Sequence, residues 1–152
     1  MSSSPNVSGN CGQAALGDSG VVVLAPKEAL DLLAGNCLGR IVFTREALPA
    51  VRVVNHILDA GHIIIRTRLN SRGTIVSPTR TPPAVVVAYQ SDSIDIATRR
   101  GWSVVVTGLA STVTDPGLVA RYEQLLHPWI NLPMDTVISI TPEIVTGICV
   151  TG

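Results

Sequence analysis

The sequence has no long hydrophobic run, no cluster of like charges and few charged residues overall. Its 152 residues carry 11 basic and 11 acidic side chains, and charged residues make up 14% of the chain. A chain without a basic excess lacks the electrostatic footprint of a protein that binds nucleic acid or an anionic membrane. We therefore expect its partners to be small molecules and a second copy of itself, with no nucleic acid and no membrane.

The cysteine content is also low, with widely spaced residues at Cys11, Cys37 and Cys149. Their odd number and the absence of CxxC or Cys/His spacing indicate neither a disulfide framework nor a zinc site, so we predict free thiols and no metal. The first 20 residues lack the basic segment and apolar core of a secretion signal, and no apolar run reaches the roughly 18 residues of a membrane span. We predict a cytoplasmic protein with a flexible leader over residues 1–20 and one domain over residues 21–152.

Turn-forming residues divide the chain into short β-branched segments and two short helices. The first helix begins near Pro26 and ends at Gly35-Asn36, and Asp115-Pro116 has the N-cap and first-turn pattern of the second. The other apolar runs are predicted strands, joined by turns such as Asp59-Ala60-Gly61.

These strands are expected to form a closed or nearly closed antiparallel barrel. Six or more strands follow one another without a βαβ rhythm, and the later ones should bend at Gly108 and kink at Pro142. Runs such as "HIII" and "AVVVA" are apolar on successive residues, which is typical of strands covered on both faces. Because two short helices cannot cover so much sheet, we expect a homodimer.

The hairpin "RVVNHILDAGHIIIRTRLNSR" carries more polar side chains than a structural strand pair needs. Side chains alternate along a strand, so Asn55 and His56 should point to opposite faces. Arg66, followed by Ser71 and Arg72 in the next loop, offers planar guanidinium donors that match phosphate oxygen atoms. The alternative is that the arginines are solvated edge-strand charges and that His56 is a satisfied core or interface histidine.

No common catalytic motif is present in the sequence, including GxSxG, HExxH and GxxxxGK[ST]. An enzyme with this sequence would therefore take its chemistry from a bound cofactor. Trp102, where a loop enters a strand, either packs as an anchor or covers an aromatic cofactor ring. His127, at the end of the second helix, is expected to be a structural cap rather than a catalytic group.

Four segments in order resemble the pyridoxamine 5′-phosphate oxidase-like flavin-binding split-barrel family. They are "LGRIVFTREALPAVRVVNHILDAGHIIIRTR", "VVVAYQSDSID", "GWSVVVTGLASTVTDP" and "PEIVTG". The most similar branch is that of the short actinobacterial members, which are related to nitroimidazole-resistance flavoproteins. The resemblance implies a mainly β fold with a few short helices, namely a homodimeric, six-stranded antiparallel split β-barrel with FMN at the dimer interface.

The resemblance also implies which residues surround the cofactor. These residues are Val54, Asn55, His56, Arg66, Thr67, Ser71, Arg72, Trp102 and Ser103. The first three would lie along the flavin ring, the next four near the ribityl-phosphate, and the last two would come from the partner subunit. His56 is the proposed proton donor, because the unperturbed pKa of histidine is near neutrality.

The family resemblance leaves two functions open. The first is an FMN-dependent oxidoreductase acting on a small molecule. The second is a non-catalytic module that binds F420 or haem in the same crevice, since the fold does not fix the cofactor.

Overall fold

The computed structural model describes residues 20–67, 84–127 and 136–152. In chain order the elements are β1 (Val21–Val23), α1 (Pro26–Ala34), β2 (Leu38–Arg45), β3 (Leu48–Asp59), β4 (His62–Thr67), β5 (Ala84–Asp95), β6 (Arg100–Thr112), α2 (Pro116–Leu125) and β7 (Thr136–Thr151). The fold is mainly β with two short helices, as predicted. Neither of these helices is long and apolar enough to cross a membrane. Residues 1–19 of the predicted leader lie outside the described ranges.

All seven described strands belong to one antiparallel sheet that closes on itself. The strand order is β1-β7-β4-β3-β2-β5-β6, and β6 also pairs with β7, so that β2 to β7 form a six-stranded ring. Along one edge of β7, residues 136–140 pair with β4 and residues 148–150 pair with β1. The short strand β1 was not predicted from the sequence; it continues the edge of the sheet where β4 ends.

Tight turns set the register of the β2–β3–β4 meander. The φ angles of Glu46 and Ala47 are 49° and 64°, and those of Ala60 and Gly61 are 50° and 79°. Two consecutive residues with positive φ indicate a type I′ turn, whose twist matches that of the strands it joins. The hairpin predicted at Asp59-Ala60-Gly61 is therefore confirmed.

The irregularities predicted at Gly108 and Pro142 coincide in one β-bulge. Thr107 pairs with Ile144, whereas Gly108 pairs with Pro142, so Glu143 is an extra residue in β7. A bulge bends the strand and inverts the alternation of its side chains. Even-numbered residues of β7 therefore face the barrel interior before the bulge, and odd-numbered residues face it after the bulge.

Aliphatic side chains fill the barrel, and α1 packs against them. Helix α1 starts at Pro26 as predicted and buries Ala29 and Leu33 completely. A Cβ atom added to Gly147 would lie 3.0 Å from Cβ of Ala29, so this glycine permits the close approach of α1 to β7. The interior also contains Ile41, Phe43, Val54, Ile63, Ile65, Val87, Tyr89, Trp102, Val104, Val106, Ile138 and Ile140.

The thiol prediction holds for Cys37 and is wrong for Cys149. Cys37 is exposed and free. Cys149 lies in the core and is disulfide-bonded. Sequence spacing misses such a pairing because it depends on which residues the fold brings within bonding distance.

Helix α2 lies on the outside of the barrel. Asp115 is its N-cap, as predicted, and Oδ1 accepts a hydrogen bond from Gly117 N at 2.8 Å. Tyr122 and Leu126 are buried in a second apolar cluster with Ile64 of β4. One part of the outer surface is thus covered by the chain itself.

Among the described residues, none covers the rest of the outer surface, which is largely apolar. This surface extends across the five strands β3, β2, β5, β6 and β7. One row of paired neighbours crosses it, formed by Val51, Val42, Ala88, Thr107 and Ile144. We call this surface the open outer face; its most exposed apolar side chains are Val51, Val53, Val86, Val105, Leu109, Ile144 and Ile148. The homodimer expected from this apolar surface stays a prediction.

Candidate functional site at the β3–β4 hairpin

The wall formed by β3 and β4 separates the predicted site residues into two groups. Asn55 and Arg66 point outward and contact the end of α2. Val54, His56 and Thr67 are buried on the inner side, with 9%, 2% and 5% of their surfaces exposed. The predicted opposite orientation of Asn55 and His56 is therefore correct.

Asn55 and Arg66 bind the carbonyl groups at the C-terminal end of α2. Nδ2 of Asn55 donates to O of His127 at 2.9 Å, and Nη1 of Arg66 donates to O of Leu126 at 2.9 Å and to O of Glu123 at 3.4 Å. Of these residues, Glu123 lies in the last turn of α2, Leu126 is its extended C-cap and His127 follows the helix. The last carbonyl groups of a helix lack partners within it and form the negative end of its dipole, which here includes the carbonyl of Glu123. Since the last turn of α2 contains no basic residue, β4 supplies the cationic cap.

A second polar contact anchors α2 one turn earlier. Oη of Tyr122 donates to Oδ2 of Asp59 at 2.7 Å, and Nη2 of Arg121 lies 3.5 Å from Oδ1 of the same carboxylate. The hydrogen bond to Asp59 raises the pKa of Tyr122, because the carboxylate favours the protonated phenol. The ion pair with Arg121 is largely exposed and contributes little. Helix α2 is therefore tied to the end of β3 as well as to β4.

His56 lies inside the barrel between α1 and β5. Its Nε2 is 2.8 Å from O of Leu33, and its Nδ1 contacts the hydroxyl group of Tyr89. Because a carbonyl oxygen only accepts, Nε2 carries the proton and Nδ1 accepts from Tyr89. Burial lowers the pKa of His56 and raises the pKa of Tyr89, so both rings are neutral.

The surroundings of His56 are those of a satisfied core histidine, the alternative raised from the sequence. A role as proton donor stays a prediction, and it would require His56 to give up its bond to Leu33.

Tyr89 and Ser91 extend the buried polar contacts along β5. A Cβ atom added to Gly39 would lie 2.7 Å from Cε1 of Tyr89, so the ring occupies the space that a side chain would need. Oγ of Ser91 donates to O of Leu38 at 2.6 Å and accepts from Nδ2 of Asn36 at 3.0 Å. The segment between α1 and β2 is thus fixed to β5.

Thr67 contacts a cation that the sequence analysis did not include in the site. Nη1 of Arg52 donates to Oγ1 of Thr67 at 3.1 Å, and its guanidinium carbon lies 5.2 Å from the ring centroid of Phe43. Burial, together with nearby Arg45, lowers the pKa of Arg52. Strand periodicity places Arg52 on the same face as His56, but the contact with Thr67 also depends on the pairing register of the hairpin.

Trp102 and Ser103 follow one another on β6 and face opposite ways. Trp102 is 3% exposed and packs in the core, the alternative considered for it above; flanking a cofactor would require its ring to leave the core. Ser103 faces outward, with Oγ 3.4 Å from Nε2 of Gln90. Strand β6 does not pair with β3 or β4, so at least one other strand of the sheet separates Ser103 from Asn55 and Arg66.

The structure therefore brings together Asn55 and Arg66 among the described site residues. Ser71 and Arg72, predicted to lie in the loop after β4, are outside the described ranges. What the sequence analysis missed is the segment directly after α2, where Leu126 and His127 contribute carbonyl groups. A contact made by backbone carbonyl groups cannot be predicted from the pattern of side chains, because nearly every residue type has the same backbone.

A six-stranded antiparallel ring with a short seventh strand, one helix on its core and another on its outer wall is a split barrel. Residues 25–148 match the family model described as pyridoxamine 5′-phosphate oxidase. The chain belongs to the pyridoxamine 5′-phosphate oxidase family, as its resemblance predicted.

Individual proteins are similar to this chain over most of its length. An uncharacterised protein of Mycobacterium tuberculosis is 56% identical over 128 residues, which are 84% of each chain. A solved structure from Corynebacterium glutamicum, described as a candidate pyridoxamine 5′-phosphate oxidase, is 31% identical with a TM-score of 0.69, covering 88% of this chain and 96% of that one. The FAD-binding protein of Mycobacterium smegmatis is 26% identical with a TM-score of 0.60, covering 86% and 98%.

Proposed function

We propose that the protein is a homodimeric FMN-binding oxidoreductase that acts on a small molecule in the cytoplasm. Family membership and the likeness to the FAD-binding protein of Mycobacterium smegmatis support a flavin site. The observation that carries the proposal is the pair of Asn55 and Arg66, whose amide and guanidinium reach consecutive carbonyl groups on the outer wall. An amide suits the polar edge of a flavin ring, and a guanidinium suits its phosphate.

A second copy of the chain is the proposed cover of the open outer face. Apolar surfaces of this extent usually belong to an interface or a ligand site. In its middle, Arg40 donates to Gln90 at 3.1 Å and lies 3.8 Å from Asp92, so both signs of charge are present. A two-fold contact can pair such a patch with itself. Val53 extends the face to within two residues of Asn55, where the crevice between subunits would begin.

The family and the FAD-binding relative favour a flavin over haem. Haem iron needs an axial ligand, and His56 offers none as it stands, because both of its nitrogens are already bonded inside the barrel. Asn55, Arg66 and Ser103 are hydrogen-bond donors facing outward, which can hold and orient a flavin. A bound flavin would itself supply hydride and one-electron chemistry, while the protein provides position and electrostatics.

A binding module without turnover is the second candidate, and the state of His56 favours it. The proposed proton donor is buried and fully bonded, and Asn55, Arg66 and Ser103 are not acid–base groups near neutral pH. Such a protein would store or protect its cofactor rather than turn over a substrate.

The test begins with the visible absorption spectrum of the untagged protein, followed by titration with FMN, FAD, F420 and haemin. We expect uptake of FMN with quenching of its fluorescence. A colourless protein that takes up no FMN would contradict the proposal, and tight haemin or F420 binding in its place would favour the module. Reduction of the bound flavin by NADPH and its reoxidation by small-molecule acceptors would separate an oxidoreductase from a flavin store.

A further inference from the structure

We infer that the C-terminal turn of α2 positions Arg66 for the phosphate group of the cofactor, and that Tyr122 and Asp59 fix this turn. The inference rests on the proposed flavin site and adds positioning residues that lie outside it. Its basis is the set of contacts that joins α2 to the β3–β4 hairpin.

The guanidinium of Arg66 is oriented before any ligand arrives. Its Nη1 is held by the carbonyl oxygens of Leu126 and Glu123, and the next carbonyl along the chain, that of His127, is held by Asn55. An arginine ordered only on ligand binding would lose side-chain entropy at that moment. A guanidinium already fixed by the protein avoids this cost, so the affinity for phosphate is higher.

The same carbonyl groups make Arg66 indispensable for an anion at this place. Carbonyl oxygens carry partial negative charge, and that of Glu123 belongs to the last turn of α2, so these groups would repel a phosphate group if no cation lay between them. The turn therefore promotes the binding of a phosphate group only because it holds Arg66 in place. Removing the guanidinium should therefore lower the affinity for FMN below the affinity for riboflavin, which lacks the phosphate.

Tyr122 and Asp59 hold the turn from one helical turn away. Tyr122 is 6% exposed, and its hydroxyl donates to Asp59 at 2.7 Å. The backbone oxygen of Tyr122 accepts from N of Leu126 at 2.8 Å, so the anchor continues directly to the residue that binds Arg66. Asp59 itself is the last residue of β3, beside the tight hairpin turn.

The test compares the dissociation constants of FMN and riboflavin, because their ratio isolates the phosphate. The variants are Arg66→Ala, Tyr122→Phe and, as a control on the exposed side of the same helix, Gln124→Ala. We expect Arg66→Ala to reverse the preference for FMN. Tyr122→Phe should raise the dissociation constant of FMN about 3- to 10-fold, the effect of about one hydrogen bond. The dissociation constant of riboflavin should change less than about twofold. Gln124→Ala should change neither.

Hydrogen exchange of the backbone amides of residues 117–127 shows whether Tyr122→Phe loosens the turn. Faster exchange with an unchanged ratio of constants would overturn the inference. If exchange is unchanged, Leu126→Ala, which removes the buried anchor of the last turn, is measured in the same two assays. An unchanged ratio in that variant would overturn the inference as well.

The wild-type protein separates this inference from the proposed function. Equal binding of FMN and riboflavin would overturn the role of Arg66 and leave flavin binding intact. Binding of neither flavin would contradict the proposed function itself.

Discussion

The hydroxyl group of Tyr89 donates to Nδ1 of His56 inside the barrel, where the two rings meet edge to face with centroids 5.0 Å apart. The other ring nitrogen, Nε2, donates to O of Leu33. One imidazole thus joins β3, β5 and α1 and has both of its hydrogen bonds satisfied. Buried polar groups of this kind stabilise a fold only while every partner is present.

Tyr89→Phe should lower the free energy of unfolding by about 1–3 kcal/mol, because Nδ1 of His56 would be left buried without a donor. Urea unfolding of the wild type, this variant, His56→Leu and the double variant gives the coupling. The double variant should cost less than the two single changes together. Strictly additive costs would show that the two side chains are not coupled.

Stability should depend on pH through His56. Burial lowers its pKa in the folded protein, so the unfolded chain, with a pKa near 6.5, binds the proton more readily. The contribution of His56 is therefore complete above about pH 7 and is lost as the pH falls from about 6.5, by at most about 1.4 kcal/mol per pH unit. Urea unfolding between pH 5.5 and 8 would measure this slope. His56→Gln should flatten it and the control His62→Gln should keep it; the same slope in His56→Gln would refute the assignment.

Gly39→Ala should destabilise the fold strongly, whereas Gly35→Ala should not. A Cβ atom at Gly39 would lie 2.7 Å from Cε1 of the fully buried Tyr89, so the ring would have to shift within the core. At Gly35, in the αR region, the nearest atom would be 3.6 Å away. We expect a loss of about 1–3 kcal/mol or more at Gly39 in thermal or urea unfolding. Equal stability of the two variants would mean that Tyr89 does not pack on β2 as described.

Leu109→Lys should convert the proposed dimer into a monomer. Leu109, on the open outer face, and Leu118, on α2, are both 39% exposed, which makes Leu118→Lys a matched control. An ammonium group buried at an apolar interface is costly, whereas the same group on α2 stays in water. Sedimentation velocity should show a monomer for Leu109→Lys and a dimer for the wild type and Leu118→Lys. A wild-type monomer, or a dimer in all three proteins, would exclude this interface.

Much of the fold followed from local patterns in the sequence. Asp115-Pro116 predicted the start of α2, Asp59-Ala60-Gly61 predicted a hairpin, and Gly108 with Pro142 predicted the irregularity that proved to be one bulge. Each of these depends on the backbone geometry of a few adjacent residues. The alternation of Asn55 and His56 likewise follows from the two-residue period of a strand.

Other features depend on contacts between distant parts of the chain. The disulfide at Cys149, the contact of Arg52 with Thr67 and the burial of Trp102 have no local signature. The contact of Arg52 with Thr67 depends on the pairing register of β3 and β4, and Trp102 is buried because the closed sheet surrounds it with residues from distant parts of the chain.

The sequence by itself determined a six-stranded barrel of the pyridoxamine 5′-phosphate oxidase family, with Asn55 and His56 on opposite sides of one strand. Only the tertiary structure decided which side is which. Closure of the sheet turns His56 inward to Leu33 and Tyr89, and α2 covers the other side, where Asn55 and Arg66 bind its last carbonyl groups. A two-residue period separates the faces of a strand, but the packing of the remaining elements decides which face is buried.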